Sequence, residues 1–152
     1  GVLFETCAQV GALSAGASTE QTEWARMIGE VIGYAFQIKD DIFDYFADAS
    51  IGKPTGNDMR EGKLTLPVIY ALQKVNDSVM NELALKVKRH EATDDEIALL
   101  VDFTKQQGGI EYANEVMHGL VERAKTLLVQ CTDEAVRTAL TTYLTYVVDR
   151  NK

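Results

Sequence analysis

Four residues on one short stretch, Gln37, Asp40, Asp41 and Asp44, have the types and spacing for cation chemistry. Asp40 and Asp44 stand one helical turn apart, Asp41 lies beside them, and Gln37 precedes the group by a turn. A helix therefore puts all four on one face. Carboxylates one turn apart repel by roughly 0.2–0.5 kcal/mol per pair even on an exposed helix, and burial raises that cost unless something offsets it. A divalent cation is the simplest offset. Oxygen donors without nearby His or Cys suit a hard ion such as Mg²⁺, which keeps several waters and is shared with phosphates. The next segment carries Lys53 in Gly52-Lys53-Pro54 and Lys63 in Gly62-Lys63. Ammonium groups beside a metal-bound diphosphate can neutralise charge that develops on a departing phosphate group. Taken alone, the carboxylates would read as a solvated acidic patch and the lysines as solubility residues. The flanking sequence weighs against the patch, because Trp24, Ile28, Val31, Ile32, Phe36, Ile38, Ile42 and Phe43 make this stretch apolar on most faces. A helix of that kind is usually central in its domain.

The elements that must hold these residues all read as helices, and no strand periodicity emerges, so the chain is expected to be all-α. A first helix spans Val2 to Ala15 and stops near Gly16. Ser18, with Gln21 three residues later, makes a capping-box pattern that opens the long helix, which runs to about Phe46. From 47 to 62 the turn residues Gly52, Pro54, Gly56, Asn57 and Gly62 predict a long loop, of the kind that is more often functional than accidental in a compact domain. Pro67 can start the next helix. Asn76-Asp77 separates it from a helix over Ser78 to about Arg89. Thr93 and Glu96 form a second capping-box pattern, and Gly108-Gly109 closes that helix. Another runs from Ile110 to Gln130, and Thr132 is expected to cap the last one, with Asp133 and Glu134 in its first turn, where the dipole favours them.

Composition bounds the function. The 152 residues are 46% hydrophobic and 25% charged, which suits one folded domain over 1–152. A net charge of −8 argues against nucleic-acid and anionic-membrane partners, and implies that cations mediate contact with any anionic ligand. The apolar runs are too short and too broken by charge for a membrane span. Cys7 and Cys131 form neither a disulfide framework nor a metal spacing, and a reducing cytoplasm is expected. Gly1 to Leu13 lack secretory-signal features and read like helix interior, as if the chain began mid-protein. His90 and His118 are isolated and read as surface or packing residues.

Three ordered segments make the pattern specific: Gly33-Tyr-Ala-Phe36-Gln37-Ile-Lys-Asp40-Asp41-Ile-Phe-Asp44, then Gly52-Lys53-Pro-Thr-Gly56-Asn-Asp58, then Glu61-Gly62-Lys63-Leu-Thr65-Leu66-Pro67. Together they resemble the second aspartate-rich region of the trans-isoprenyl (polyprenyl) diphosphate synthases. The flanks agree, since Leu3 to Ala12 resembles the helix after the family's Lys-Thr pair and Tyr146 to Lys152 resembles its C-terminus. The resemblance implies the C-terminal half of the isoprenoid-synthase helical bundle, with about six or seven helices here. It also implies a Mg²⁺-dependent head-to-tail condensation. In the family an allylic diphosphate is held through three Mg²⁺ ions between two aspartate-rich motifs. Diphosphate leaves, the double bond of isopentenyl diphosphate attacks the allylic carbocation, and a proton is lost. By that likeness Asp40 binds metal directly, Asp41 and Asp44 bind it or orient its water, and Lys53 and Lys63 contact the diphosphate. Gln37 lies near its allylic end and Phe36 walls the hydrocarbon cavity, although core packing explains Phe36 equally well. The likeness further implies a homodimer.

The family's first aspartate-rich motif and its isopentenyl diphosphate residues are not in these 152 residues, which by themselves are expected not to catalyse condensation. Two other readings share the scaffold. A class I terpene synthase would use the same fold and metals, but the segment from Gly52 to Pro67 has the chain-elongation pattern. A non-catalytic partner subunit would have no need of the costly Asp40, Asp41 and Asp44 cluster.

Overall fold

A computed structural model describes residues 1–46 and 55–150, whose regular elements are all helices, with no strand among them. Eight helices are present among the described residues: α1 Val2–Ser14, α2 Thr19–Phe43, α3 Asn57–Arg60, α4 Leu66–Lys74, α5 Ser78–Lys88, α6 Asp94–Gln106, α7 Gly109–Leu128 and α8 Glu134–Asp149. The all-α expectation holds, and the helix beyond the six or seven expected is α3, inside the stretch expected to be loop. None of the described helices is long and apolar enough to cross a membrane.

The local starts follow from cap chemistry. The Ser18 amide donates to Gln21 Oε1 at 2.9 Å and the Gln21 amide to Ser18 Oγ at 3.2 Å, completing the box that opens α2. Asp77 accepts from the Val79 and Met80 amides at the head of α5. At α8 the cap falls one residue later than expected, on Asp133 rather than Thr132, because the Asp133 carboxylate reaches the Val136 amide at 3.0 Å. Thr93 and Glu96 make the reciprocal bonds of a full capping box at α6. Lys86, then the Thr93 amide, holds the Glu96 carboxyl below its ordinary value. That contribution is therefore present at neutral pH and is lost only as acid protonates Glu96 below the usual carboxylate range. Thr93→Ala is expected to lower stability by about 1 kcal/mol, read from urea denaturation at neutral pH.

The chain divides into two compact units. The first comprises residues 1–39 and 115–152. Its core is a stripe on α2, Ile28, Val31, Ile32 and Ala35, which repeats every three or four residues as a helix face must. Ala124, Leu128 and Leu144 pack on one end of this stripe, and Met117, Val121, Val147 and Val148 on the other. Trp24 seals the margin, its indole N–H donating to the Leu127 carbonyl at 2.8 Å. The second unit comprises residues 40–114. Here the buried stripe is Ile97, Leu100, Val101 and Thr104 of α6, with Val68 and Ala71 of α4 and Leu83, Ala84 and Val87 of α5 also buried. Tyr70 and Tyr112 stack with ring centroids 4.0 Å apart.

Candidate functional site

Asp40 and Asp41 occupy the last turn of α2, and Asp44 stands just past its final residue, its amide still donating to the Asp40 carbonyl at 3.3 Å. The helix ends at Phe43 rather than near Phe46, because the chain turns at once to bring Asp44 onto α3. Burial separates these carboxylates from a solvated patch: Asp41 is 9% exposed and Asp44 8%, with Asp40 half-buried. Tyr45 anchors the turn. It is 2% exposed, and burial pushes its phenol above the ordinary range, only partly offset by the neighbouring Thr65 and Thr104 side chains.

Asp44 is bound into the backbone of the segment that follows. Its Oδ1 accepts from the Asn57 amide and from Asn57 Nδ2, both at 3.1 Å, and its Oδ2 accepts from the Asp58 amide at 2.9 Å. Its carbonyl accepts from the Gly56 amide at 2.8 Å. The residue at the N-cap position of α3, Gly56, has no side chain to cap with, so the cap comes from a carboxylate a dozen residues earlier. Bonds of this charge-assisted kind are about twice as strong as neutral ones. In the sequence Asn57 reads as a turn residue and as part of the Gly56-Asn-Asp58 run. Its part in fixing Asp44 was legible only as the Gly-Asn-Asp run of a cap former.

Beyond α3 the chain delivers Lys63. Its amide donates to the Asp58 carbonyl at 2.8 Å, and its ammonium lies 2.6 Å from Glu61 and 4.0 Å from Asp58. Glu61 chiefly, with Asp58 and Asp41 adding, holds the Lys63 ammonium above its ordinary pKa. A raised lysine keeps its charge throughout the neutral range. Lys63 thus ion-pairs with Glu61 and Asp58 of its own segment.

Gln37 is exposed on α2 and belongs to the first unit, whereas Asp40, Asp41 and Asp44 belong to the second. Phe36, also of the first unit, is half-buried and packs against Phe4 with ring centroids 5.3 Å apart. The Arg150 guanidinium lies 4.0 Å from the Phe36 ring and donates to the Phe36 carbonyl at 3.3 Å. That contact joins residues over a hundred positions apart, and nothing local in the sequence signals it. Lys53 lies outside the described residues.

Asp40, Asp41 and Asp44 offer oxygen alone, and the oxygens of Asp44 already serve amides. Among the described residues no three His, Cys, Asp or Glu side chains gather closely enough to enclose an ion by themselves. Such a set fits a hard cation whose remaining positions are filled by water and phosphate oxygens, which is the habit of Mg²⁺ rather than of a metal in a closed protein cage.

Comparison with known proteins gives consistent likenesses. A family model described as polyprenyl synthetase matches residues 1–103. A geranylfarnesyl diphosphate synthase of Aeropyrum pernix is 35% identical, the match covering 100% of this chain and 48% of that protein. The crystal structure of a geranylgeranyl pyrophosphate synthase from Bacteroides thetaiotaomicron is 51% identical and superposes with a TM-score of 0.92 over 97% of this chain and 49% of that one. A polyprenyl synthase from Caulobacter crescentus, crystallised with calcium and isoprenyl diphosphate, superposes with a TM-score of 0.83 at 28% identity over 99% of this chain and 46% of that one. The chain spans about half the length of the curated relatives it matches.

Proposed function

The chain belongs to the polyprenyl synthetase family, and from that membership we propose that it forms the metal and diphosphate half of a prenyltransferase, one that joins isopentenyl diphosphate head to tail with an allylic diphosphate. The observation that carries this reading is the pair of carboxylates, Asp41 and Asp44, buried at the end of an apolar helix, with Asp44 hydrogen-bonded to the segment that leads to Lys63. Carboxylates gathered at one helix end suit a hard cation such as Mg²⁺, whose remaining positions would be taken by water and phosphate oxygens. Asp40 and Asp41 would hold the metal. Asp44 fixes α3 and, through water, orients what Asp40 and Asp41 hold. Lys63, with Lys53, meets the diphosphate oxygens, and Gln37 and Phe36 serve the allylic chain. Bound Mg²⁺ supplies Lewis acidity toward the leaving diphosphate. The same reading makes the protein a cytoplasmic homodimer whose 152 residues form one domain.

The test is calorimetric titration of the full-length protein. Mg²⁺ and inorganic diphosphate together are expected to bind at least about tenfold more tightly than either alone, since each completes the other's coordination. Equal weak binding of diphosphate with and without Mg²⁺ would remove the proposal. A label-chase assay separates the alternatives: an elongated linear diphosphate supports the prenyltransferase, a cyclic hydrocarbon a terpene synthase, and binding without turnover a partner subunit.

A further inference from the structure

His90 is the only non-glycine residue with positive φ among the described residues, at 59°. It terminates α5. The Glu91 amide donates to the Lys86 carbonyl at 2.9 Å, and the His90 amide to that of Val87 at 3.0 Å. That pair of bonds is the Schellman ending, whose left-handed position is ordinarily glycine. A residue with a Cβ is disfavoured there. Helix termination is thus served better by glycine, and the imidazole is the part that needs a reason.

The reason lies across from it. Gly62 is also left-handed, with φ 73°, and a Cβ built on it would fall 2.6 Å from His90 Cε1, 2.8 Å from Nε2 and 3.2 Å from Nδ1. Three ring atoms at such similar short range mean that the imidazole lies flat against the bare face of Gly62. Each residue explains the other: position 90 carries a ring and position 62 carries nothing. Gly62 is the residue immediately before Lys63. Its amide donates to the Met59 carbonyl at 3.0 Å, and Met59 is 3% exposed. Beside this contact the Arg60 guanidinium donates to the Thr55 carbonyl and to Asp94 Oδ1, both at 2.7 Å. The α5–α6 corner therefore holds the α3 segment through contacts separate from those of Asp44.

We propose that His90 is a positioning residue for Lys63: the flat face of its ring backs Gly62 and fixes where the following ammonium is delivered. This rests on the diphosphate reading of Lys63 given above. The ring acts by shape, so its protonation is not required.

The experiment compares wild type with His90→Gly and His90→Phe in the full-length protein, measuring Mg²⁺-dependent affinity for inorganic diphosphate and, separately, the urea midpoint. His90→Gly relieves the left-handed backbone, so its midpoint is expected to equal or exceed that of wild type. Its diphosphate affinity is expected to fall about tenfold, because small misplacements of a charged group carry large penalties. His90→Phe, which restores a flat ring, is expected to regain most of that affinity. Stability and affinity moving in opposite directions is a result that a purely structural histidine does not give. Unchanged affinity in His90→Gly overturns the proposal, as does affinity that falls only in step with the midpoint. Wild type that binds no diphosphate removes the reading of Lys63 and this role together; wild type that binds beside an indifferent His90→Gly removes this role alone.

Discussion

If the proposed function holds, Asp41→Asn in the full-length protein is expected to cut prenyl transfer by at least about a thousandfold without lowering the stability of the metal-free protein. The two halves of that expectation come from the same burial. At 9% exposure the carboxylate sits where charge is poorly solvated, so its attraction for a cation is strong. Removing a preorganised charge from such a site raises a barrier by roughly 3–4 kcal/mol, which is two to three decades of rate, and losing direct coordination of the metal adds to it. The amide has nearly the same shape, so packing is kept. It also ends the repulsion with Asp40 and Asp44, worth roughly 0.2–0.5 kcal/mol per pair even in an exposed helix. The checks are kcat/KM with allylic and isopentenyl diphosphates, and melting with and without Mg²⁺ plus diphosphate. The variant is expected to melt at or above wild type without metal and to gain nothing from adding it. Retention of activity within tenfold of wild type would show that Asp41 does not hold the ion.

Gly109→Ala is expected to lower the stability of the second unit by about 2 kcal/mol. Alanine is the better helix former by about 1 kcal/mol, and in open space the substitution would stabilise α7. Space is what Gly109 lacks. Its added Cβ would press on the Pro67 carbonyl oxygen, closer than real Cβ atoms approach, and lie 2.8 Å from Thr104 Cγ2. Pro67 is buried backbone in α4 and Thr104 is fully buried in α6, so neither yields as a flexible side-chain tip would. Overpacking of this sort costs about 3 kcal/mol at the upper end of its usual range, which outweighs the propensity gain and leaves a net loss of about 2 kcal/mol. Gly119→Ala provides the control within the same helix. Nothing lies within 4 Å of its added Cβ, and it is expected to raise stability by up to about 1 kcal/mol. Urea denaturation of the pair reads both signs, and a stabilised Gly109→Ala would contradict the close approach of α7 to α4.

What could be read from the sequence was what is encoded locally. Ser18 with Gln21, Asp77, and Thr93 with Glu96 each satisfy amides within a few residues, so their types and spacing suffice to start a helix. Thr132 and Asp133 are both competent caps, and only the reach of the carboxylate to Val136 decides between them. The one-turn helix α3 was not legible. A helix so short cannot nucleate on its own propensity, and its cap comes from Asp44, a partner distant in sequence. The same bonds explain why α2 stops early. At the site, the spacing of Asp40 and Asp41 was legible because one helix carries both. That Asp44 spends its oxygens on the backbone of Asn57 and Asp58 was not, since a sequence lists a carboxylate without saying which way it turns. Nor was the cover of Arg150 over Phe36, a contact made only by the folded chain.

The bond from Trp24 to Leu127 gives this molecule a natural optical reporter. Trp24 is the single tryptophan, and it is wedged in the first unit, while the aspartates and α3 to α6 belong to the other. Indole emission therefore follows the loosening of one unit only, whereas far-ultraviolet circular dichroism counts helices in both. Superimposable curves from the two signals would mean that residues 1–152 melt as one cooperative body, and curves that separate would assign the earlier transition to a unit without any label being added.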